Sequence, residues 1–180
     1  MLKNGSDSYG LVSKLLHWTI ALLTLGLVAL GAYMVELGYY DAGYYETRDW
    51  HKSLGLIVLV CAGLFIGWKA VSPSPPLPAT MSRLQRGAAN GAHHLLYLMM
   101  FVLPVTGYII TTAEAKPVPM FGLFSIPAFF VVSDFVRDLA TEVHEWCAYG
   151  TAVLAAGHAG AALKHQFIDR DGILSRMLWR

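Results

Sequence analysis

Four stretches of this chain contain no Asp, Glu, Lys or Arg: Trp18–Val35, Leu54–Trp68, Leu95–Thr111 and Cys147–Leu163. With their flanks, each approaches the roughly 17–25 residues an α-helix needs to cross a bilayer. Charged residues make up only 14% of the 180, and the mean hydropathy is positive. A soluble domain carries about 25% charged residues, so a soluble fold is disfavoured from the start. The expected architecture is all-α: an integral membrane four-helix bundle, one domain over 1–180, with helices at about 10–36, 49–71, 90–112 and 140–166.

The first apolar stretch is longer than the roughly 7–15 residues of a signal-peptide core, and no A-x-A cleavage site follows. It reads as a retained span. Cys61 and Cys147 belong to no C-x-x-C-H motif, which excludes covalent c-type haem attachment. One falls in mid-span and the other near a surface, so no disulfide is expected.

Charge is unevenly divided between the two sides that four spans create. The N-terminus, the second connection and the C-terminus collect Lys3, Lys14, Lys69, Arg83, Arg86, Lys164, Arg170, Arg176 and Arg180, opposed only by Asp7, Asp169 and Asp171. The other side has Arg48, Lys52, Lys116 and Arg137 against nine acids, among them Glu36, Asp41, Glu46, Asp49 and Glu114. The positive-inside rule then places both termini in the cytoplasm. Tyr39, Tyr40, Tyr44, Tyr45 and Trp50 gather at the outer boundary, where amphipathic rings favour the interface. The prolines between Ser72 and Pro78 end the second helix and stiffen the cytoplasmic connection. Outside, the apolar part of 113–140, residues 119–132, is too short and Pro-broken to span; an interfacial helix is expected there. No internal repeat or low-complexity segment is present.

Within this topology four histidines sort by depth. His144 and His158 lie fourteen residues apart in the fourth segment, just under four helical turns. Their imidazoles therefore point within about 40° of one face and stand about 21 Å apart along the axis. One falls near each surface of a hydrocarbon core about 30 Å thick. His17 lies near the cytoplasmic end of the first helix and His51 near the outer end of the second. Two depth-matched pairs follow: His17 with His158, and His51 with His144. Each histidine alone reads equally well as a side chain hydrogen-bonded to a neighbouring helix. Polar groups in a membrane are costly, so four at paired depths point to function.

Two nitrogen donors per level suit haem iron, whose porphyrin fills the other four positions, better than zinc, which takes three or four protein ligands at one site. Gly55, Thr151, Ala155, Gly157 and Gly160 leave flat space near the ligands, although small residues also serve plain helix packing. Lys14, Arg48 and Lys52 are placed to meet propionates, or to act as ordinary interfacial charges. His93 and His94 open the third helix, where an interfacial role is expected.

The motifs Leu16-His17-Trp18, Trp50-His51-Lys52-Ser53-Leu54-Gly55, His93-His94-Leu95-Leu96-Tyr97, Leu103-Pro104-Val105-Thr106-Gly107, His144-Glu145 and Gly157-His158-Ala159 resemble the bacterial dihaem cytochrome b561 family over nearly the whole chain. The resemblance implies a four-helix bundle in the bacterial inner membrane with two b haems, ligated by His17 and His158 and by His51 and His144. It implies electron transfer to or from membrane quinone. In one branch, the superoxide oxidases, the resemblance implies oxidation of periplasmic superoxide and reduction of ubiquinone. His165, seven residues after His158, is the quinone contact the resemblance suggests; the other reading is a surface histidine at a helix end.

An oxidoreductase of the superoxide:ubiquinone type is the leading expectation, with lipid, quinone and a small redox donor as partners and no nucleic acid. No residue is assigned as catalytic; the four histidines are expected as cofactor ligands. Against superoxide stands the acidic outer face, which slows an anion unless Arg48, Lys52 or Lys116 sits at the haem edge. Two other classes stay open. One is a cytochrome b relay or anchor subunit for a partner dehydrogenase or hydrogenase, using 113–140 as a docking surface. The other is a histidine-lined metal transporter without haem.

Overall fold

Four long helices account for most of the chain, and the computed structural model describes residues 1–78 and 80–178 of it. They are α1 (Leu11–Glu36), α2 (Tyr44–Val71), α3 (Arg83–Thr112) and α4 (Asp134–Lys164). Arg180, counted above among the cytoplasmic cations, lies outside the described residues.

Helix α1 starts within one residue of expectation. The other three start earlier than hydropathy suggests, at 44, 83 and 134 instead of 49, 90 and 140. Local capping explains this. Ser82 accepts from the Gln85 N–H at 3.2 Å while the Gln85 side chain accepts from the Ser82 N–H at 2.8 Å, a reciprocal capping box. Ser133 caps α4 by accepting from Val136 N–H, and Gly43, at φ 87°, turns the chain into α2. Each cap starts a polar helical turn before the apolar run begins. At the far end, α4 stops at Lys164 and the chain continues as a π-turn, His165–Asp169, and a 3₁₀ turn, Leu174–Arg176.

Consecutive helices pack as antiparallel neighbours, and α1 touches α4 more narrowly. Much of what the helices bury is small, namely Ser13, Ser53, Ala62, Thr112 and Thr151, with Ile20 and Val58 the larger buried side chains on α1 and α2. Large apolar side chains point outward instead; Leu22 is 68% exposed, Leu64 60% and Val153 74%. Small residues inside let helix backbones approach, and an apolar exterior suits lipid. Among the described residues α1, α2 and α3 are each long and apolar enough to cross a membrane. Helix α4 has the length, with 31 residues, but its Ala, Gly and His content makes it less apolar.

The N-terminal segment and the turns through Leu178 lie at one end of the bundle. Asn4 donates from Nδ2 to the Ser72 carbonyl at 2.8 Å and from its backbone N–H to Ser72 Oγ at 2.9 Å. Lys14 Nζ donates to the Leu178 carbonyl (2.7 Å), Trp18 Nε1 to the Met177 carbonyl (3.1 Å) and Arg176 to the Pro76 carbonyl (2.8 Å). The N-terminal segment, the α2–α3 connection and the C-terminal turns are thereby tied together.

At the opposite end the expected interfacial helix over 119–132 is absent. A short antiparallel hairpin takes its place, β1 (Val118–Met120) with β2 (Phe124–Ile126), paired Val118 to Ile126 and Met120 to Phe124. Its turn holds Phe121 and Gly122 at φ 52° and 70°, and Leu123 N–H donates to the Met120 carbonyl at 2.9 Å. Two successive positive φ values match the twist hairpins prefer. Pro117, Pro119 and Pro127 around this segment also disfavour a helix.

Candidate functional site

Helix α4 projects two imidazoles toward the bundle, each meeting a histidine from another helix. The rings of His158 and His17 on α1 have centroids 6.2 Å apart and planes inclined by 58°. Those of His144 and His51 on α2 stand 6.1 Å apart at 66°. Neither pair is joined by a hydrogen bond among the described residues. Two metal–nitrogen bonds of about 2 Å each, with the half-width of each ring, add to about 6 Å. Each pair is therefore spaced to hold one metal ion between its nitrogens.

The hairpin-end pair has further support. His144 Nδ1 lies 3.0 Å from the Leu103 carbonyl and 3.0 Å from Thr106 Oγ1, leaving Nε2 outside these contacts. A Cβ built on Gly107 would come within 3.3 Å of His144 Cε1, and one on Gly31 within 3.2 Å of His51 Cε1. These two glycines, not Gly55 or Gly157, are the ones that press on the rings. His51 Nδ1 is buried without a hydrogen-bond partner among the described residues.

Do these donors fit a bare ion? A structural zinc site converges four ligands. Among the described residues, the sole triple of candidate ligand atoms within 4.8 Å of one another is His165, Asp169 and Asp171, beyond the end of α4. Inside the bundle His51 and His144 stand as an opposed two, and His17 and His158 repeat that spacing with the His93 ring a third imidazole 5.2 Å from His158. Among the described residues no three of these nitrogens converge within 4.8 Å, which suits an iron whose four equatorial positions are filled by a porphyrin. The residues present fit b haem.

The family model for prokaryotic cytochrome b561 matches residues 8–180. The chain belongs to the prokaryotic cytochrome b561 family. It is 40% identical over 176 residues to cytochrome b561 homolog 2 of Escherichia coli (strain K12), covering 97% of this chain and 93% of that relative. Identity to cytochrome b561 homolog 1 of the same organism is 33% over 174 residues, 92% of this chain and 93% of the relative. A probable superoxide oxidase, CybB of Yersinia pestis, is 27% identical over 165 residues, 91% of each chain. As a cytochrome b561 the protein is a multi-pass membrane protein that binds b haem and serves electron transfer across the membrane.

The other residues singled out in the sequence are distributed around this frame. His93 sits deeper than expected: its ring is 5.2 Å from that of His158 and stacks on Tyr97 at 6.2 Å, inclined by 14°. Starting α3 at 90 puts His93 at a helix end, whereas the cap at Ser82 carries it inward by three turns. His94 stays exposed, its Nδ1 2.7 Å from the Asn90 carbonyl. His165 is buried, with Nδ1 2.6 Å from Asp171 Oδ2 and 3.2 Å from Asp169 Oδ2. The π-turn next to it opens a cleft of about 420 Å³ lined by Gln166, Phe167, Arg170, Gly172 and Ser175.

The candidate propionate partners are already engaged. Lys14 is held by the Leu178 carbonyl, Lys52 lies 3.4 Å from Asp49, and the Arg48 guanidinium stands 3.6 Å over the Tyr44 ring. Arg137 pairs with Asp134 and Asp138 at 2.8 Å each. Lys116 bonds Glu114 at 2.5 Å and holds its carboxyl below the usual glutamate range. A depressed pKa keeps Glu114 charged as pH falls through the ordinary carboxylate range, so this pair persists into mild acid. Three of the four hairpin-end cations thus carry an acidic partner.

Proposed function

We propose that the chain is a dihaem oxidoreductase linking an extracytoplasmic electron donor to membrane quinone. His17 and His158 hold one b haem near the cytoplasm, and His51 and His144 hold the other near the outer surface. All four helices span the bacterial inner membrane with both termini cytoplasmic. The observation that carries this reading is the recurrence of one spacing, 6.2 and 6.1 Å, at two levels of a single helix. Crossing by α4 follows, since its partners lie on helices that are themselves apolar enough to span. The cationic excess at the end holding both termini supports the orientation.

Bound haem supplies a one-electron carrier at each level. The chain supplies axial nitrogens, a small-residue interior and an apolar exterior. At the cytoplasmic end His165, oriented through Nδ1 by Asp171, offers its other nitrogen to a quinone oxygen beside the cleft. With superoxide as donor, two superoxide anions each lose one electron and leave as O₂. Ubiquinone takes up those two electrons and two protons to become ubiquinol. The name of the Yersinia pestis relative supports this donor; the paired hairpin-end cations oppose electrostatic capture of an anion.

The test is superoxide consumption by purified holoprotein with ubiquinone present. A rate above spontaneous dismutation, matched by ubiquinol formation, supports the donor; no excess rate removes it. A second reading, the relay subunit of a dehydrogenase or hydrogenase, is favoured by the exposed Leu123 and Phe124 at the hairpin tip. Co-purification of a stoichiometric redox partner in mild detergent supports that reading.

A further inference from the structure

Helix α3 contributes no imidazole to the outer pair, yet it makes more directed contacts to that pair than either α1 or α2. Thr106 Oγ1 donates its one proton within its own helix, 2.7 Å from the Val102 carbonyl and 3.0 Å from that of Leu103. Toward His144 that hydroxyl is left as an acceptor, and the Leu103 carbonyl is an acceptor by nature. Both groups 3.0 Å from His144 Nδ1 therefore call for a proton on that nitrogen. The Nδ1–H tautomer is fixed, and Nε2 keeps its lone pair. Gly107, one residue on, seats the ring edge: a methyl there would approach Cε1 to 3.3 Å and Nδ1 to 3.7 Å.

His51 lacks such anchoring. Its Nδ1 is buried without a partner among the described residues, and its ring edge rests on the backbone of Gly31. A buried N–H without an acceptor costs free energy. A ligand imidazole whose second nitrogen donates to a carbonyl is fixed in orientation and more basic than one whose second nitrogen donates to nothing.

We propose that the α3 turn Leu103–Gly107 positions His144 and makes the outer imidazoles unequal, with His144 the anchored ligand and His51 the exchangeable one. The inference rests on the two-haem reading above. It gives the outer level a property that the reading does not contain: a small neutral ligand enters on the His51 side.

The experiment compares His51→Gly and His144→Gly in purified, full-length holoprotein. Haem is counted by pyridine haemochrome, and coordination is read from the visible spectrum with and without carbon monoxide. His51→Gly is expected to keep both haems, one becoming high-spin and binding carbon monoxide. His144→Gly is expected to lose the outer haem. Loss of the outer haem from both variants alike, or from His51→Gly alone, overturns the proposal. Positioning by α3 is read separately from Thr106→Val and Gly107→Ala. Each should shift the midpoint potential of the outer component, upward for Thr106→Val, while the inner component stays fixed and reports an intact fold. Thr106→Ser should behave as wild type. An unmoved outer component in both variants overturns the α3 role. If both glycine variants keep two haems with unchanged spectra, the ligand assignment itself fails, which is distinguishable from failure of the asymmetry alone.

Discussion

The hydroxyl of Ser53, fully buried, accepts from the N–H of Phe121 at 3.0 Å and donates to the Pro119 carbonyl at 3.0 Å. Ser53 lies two residues after His51, so the hairpin β1–β2 is pinned to α2 beside the outer pair. Trp50 adds an edge-on contact with Phe121, with centroids 5.1 Å apart. Ser53→Ala strands one backbone donor and one acceptor, at a cost of about 1–3 kcal/mol. Hydrogen exchange across residues 118–126 should accelerate while exchange in α4 stays slow. Unchanged hairpin protection would show that the strands hold without this pin.

Replacing either member of the cytoplasmic-end pair should remove one haem of two. His17→Ala and His158→Ala should each halve the haemochrome yield per chain, because the one remaining imidazole has no hydrogen-bond anchor among the described residues of the kind that holds His144. His94→Ala is the control, since that ring is exposed and bonded only within its own helix turn. A full haem complement in His158→Ala would refute that ligand.

Quinone chemistry should respond to His165 without loss of haem. His165→Asn removes a hydrogen-bonding imidazole nitrogen worth about 1.4 kcal/mol at a charged or well-oriented contact, equivalent to about tenfold in affinity. The apparent KM for ubiquinone should rise by that order with an unaltered visible spectrum. A KM equal to wild type would return His165 to a structural role beside Asp171.

If the donor is superoxide, its rate should increase with ionic strength. The hairpin end holds four cations against nine acids, and three of those cations are already paired. Added salt screens a repulsion between like charges over about 10 Å at 0.1 M. Stopped-flow rates across 20–500 mM salt, on the order of these concentrations, provide the check. A rate falling with salt would mean that a local cationic path outweighs the surface.

How far the sequence carries this account depends on which signal each element offers. The histidine pairs follow from helical period and depth, because 14 residues on one helix and one histidine near each end of two others leave few arrangements. The start of α1 is legible because Leu11, Val12, Leu15 and Leu16 carry the apolar helical pattern back to its first turn. The starts of α2, α3 and α4 are hidden, since their first turns are polar and held by caps such as Ser82 with Gln85. That error of a few residues moved His93 from the interior to a helix end. The hairpin is obscured because Phe121 takes a left-handed φ that favours Gly or Asn, so no turn signature shows. Contacts such as Thr106 with His144, 38 residues apart, arise only once α3 and α4 pack.

The tie between Lys14, Trp18 and residues 176–178 has a temporal meaning as well. Its acceptor carbonyls at Met177 and Leu178 are synthesised after all four helices, so α1 can gain these two partners only once α4 has been made. A chain cut short before residue 176 would leave Lys14 Nζ and Trp18 Nε1 without these two acceptors.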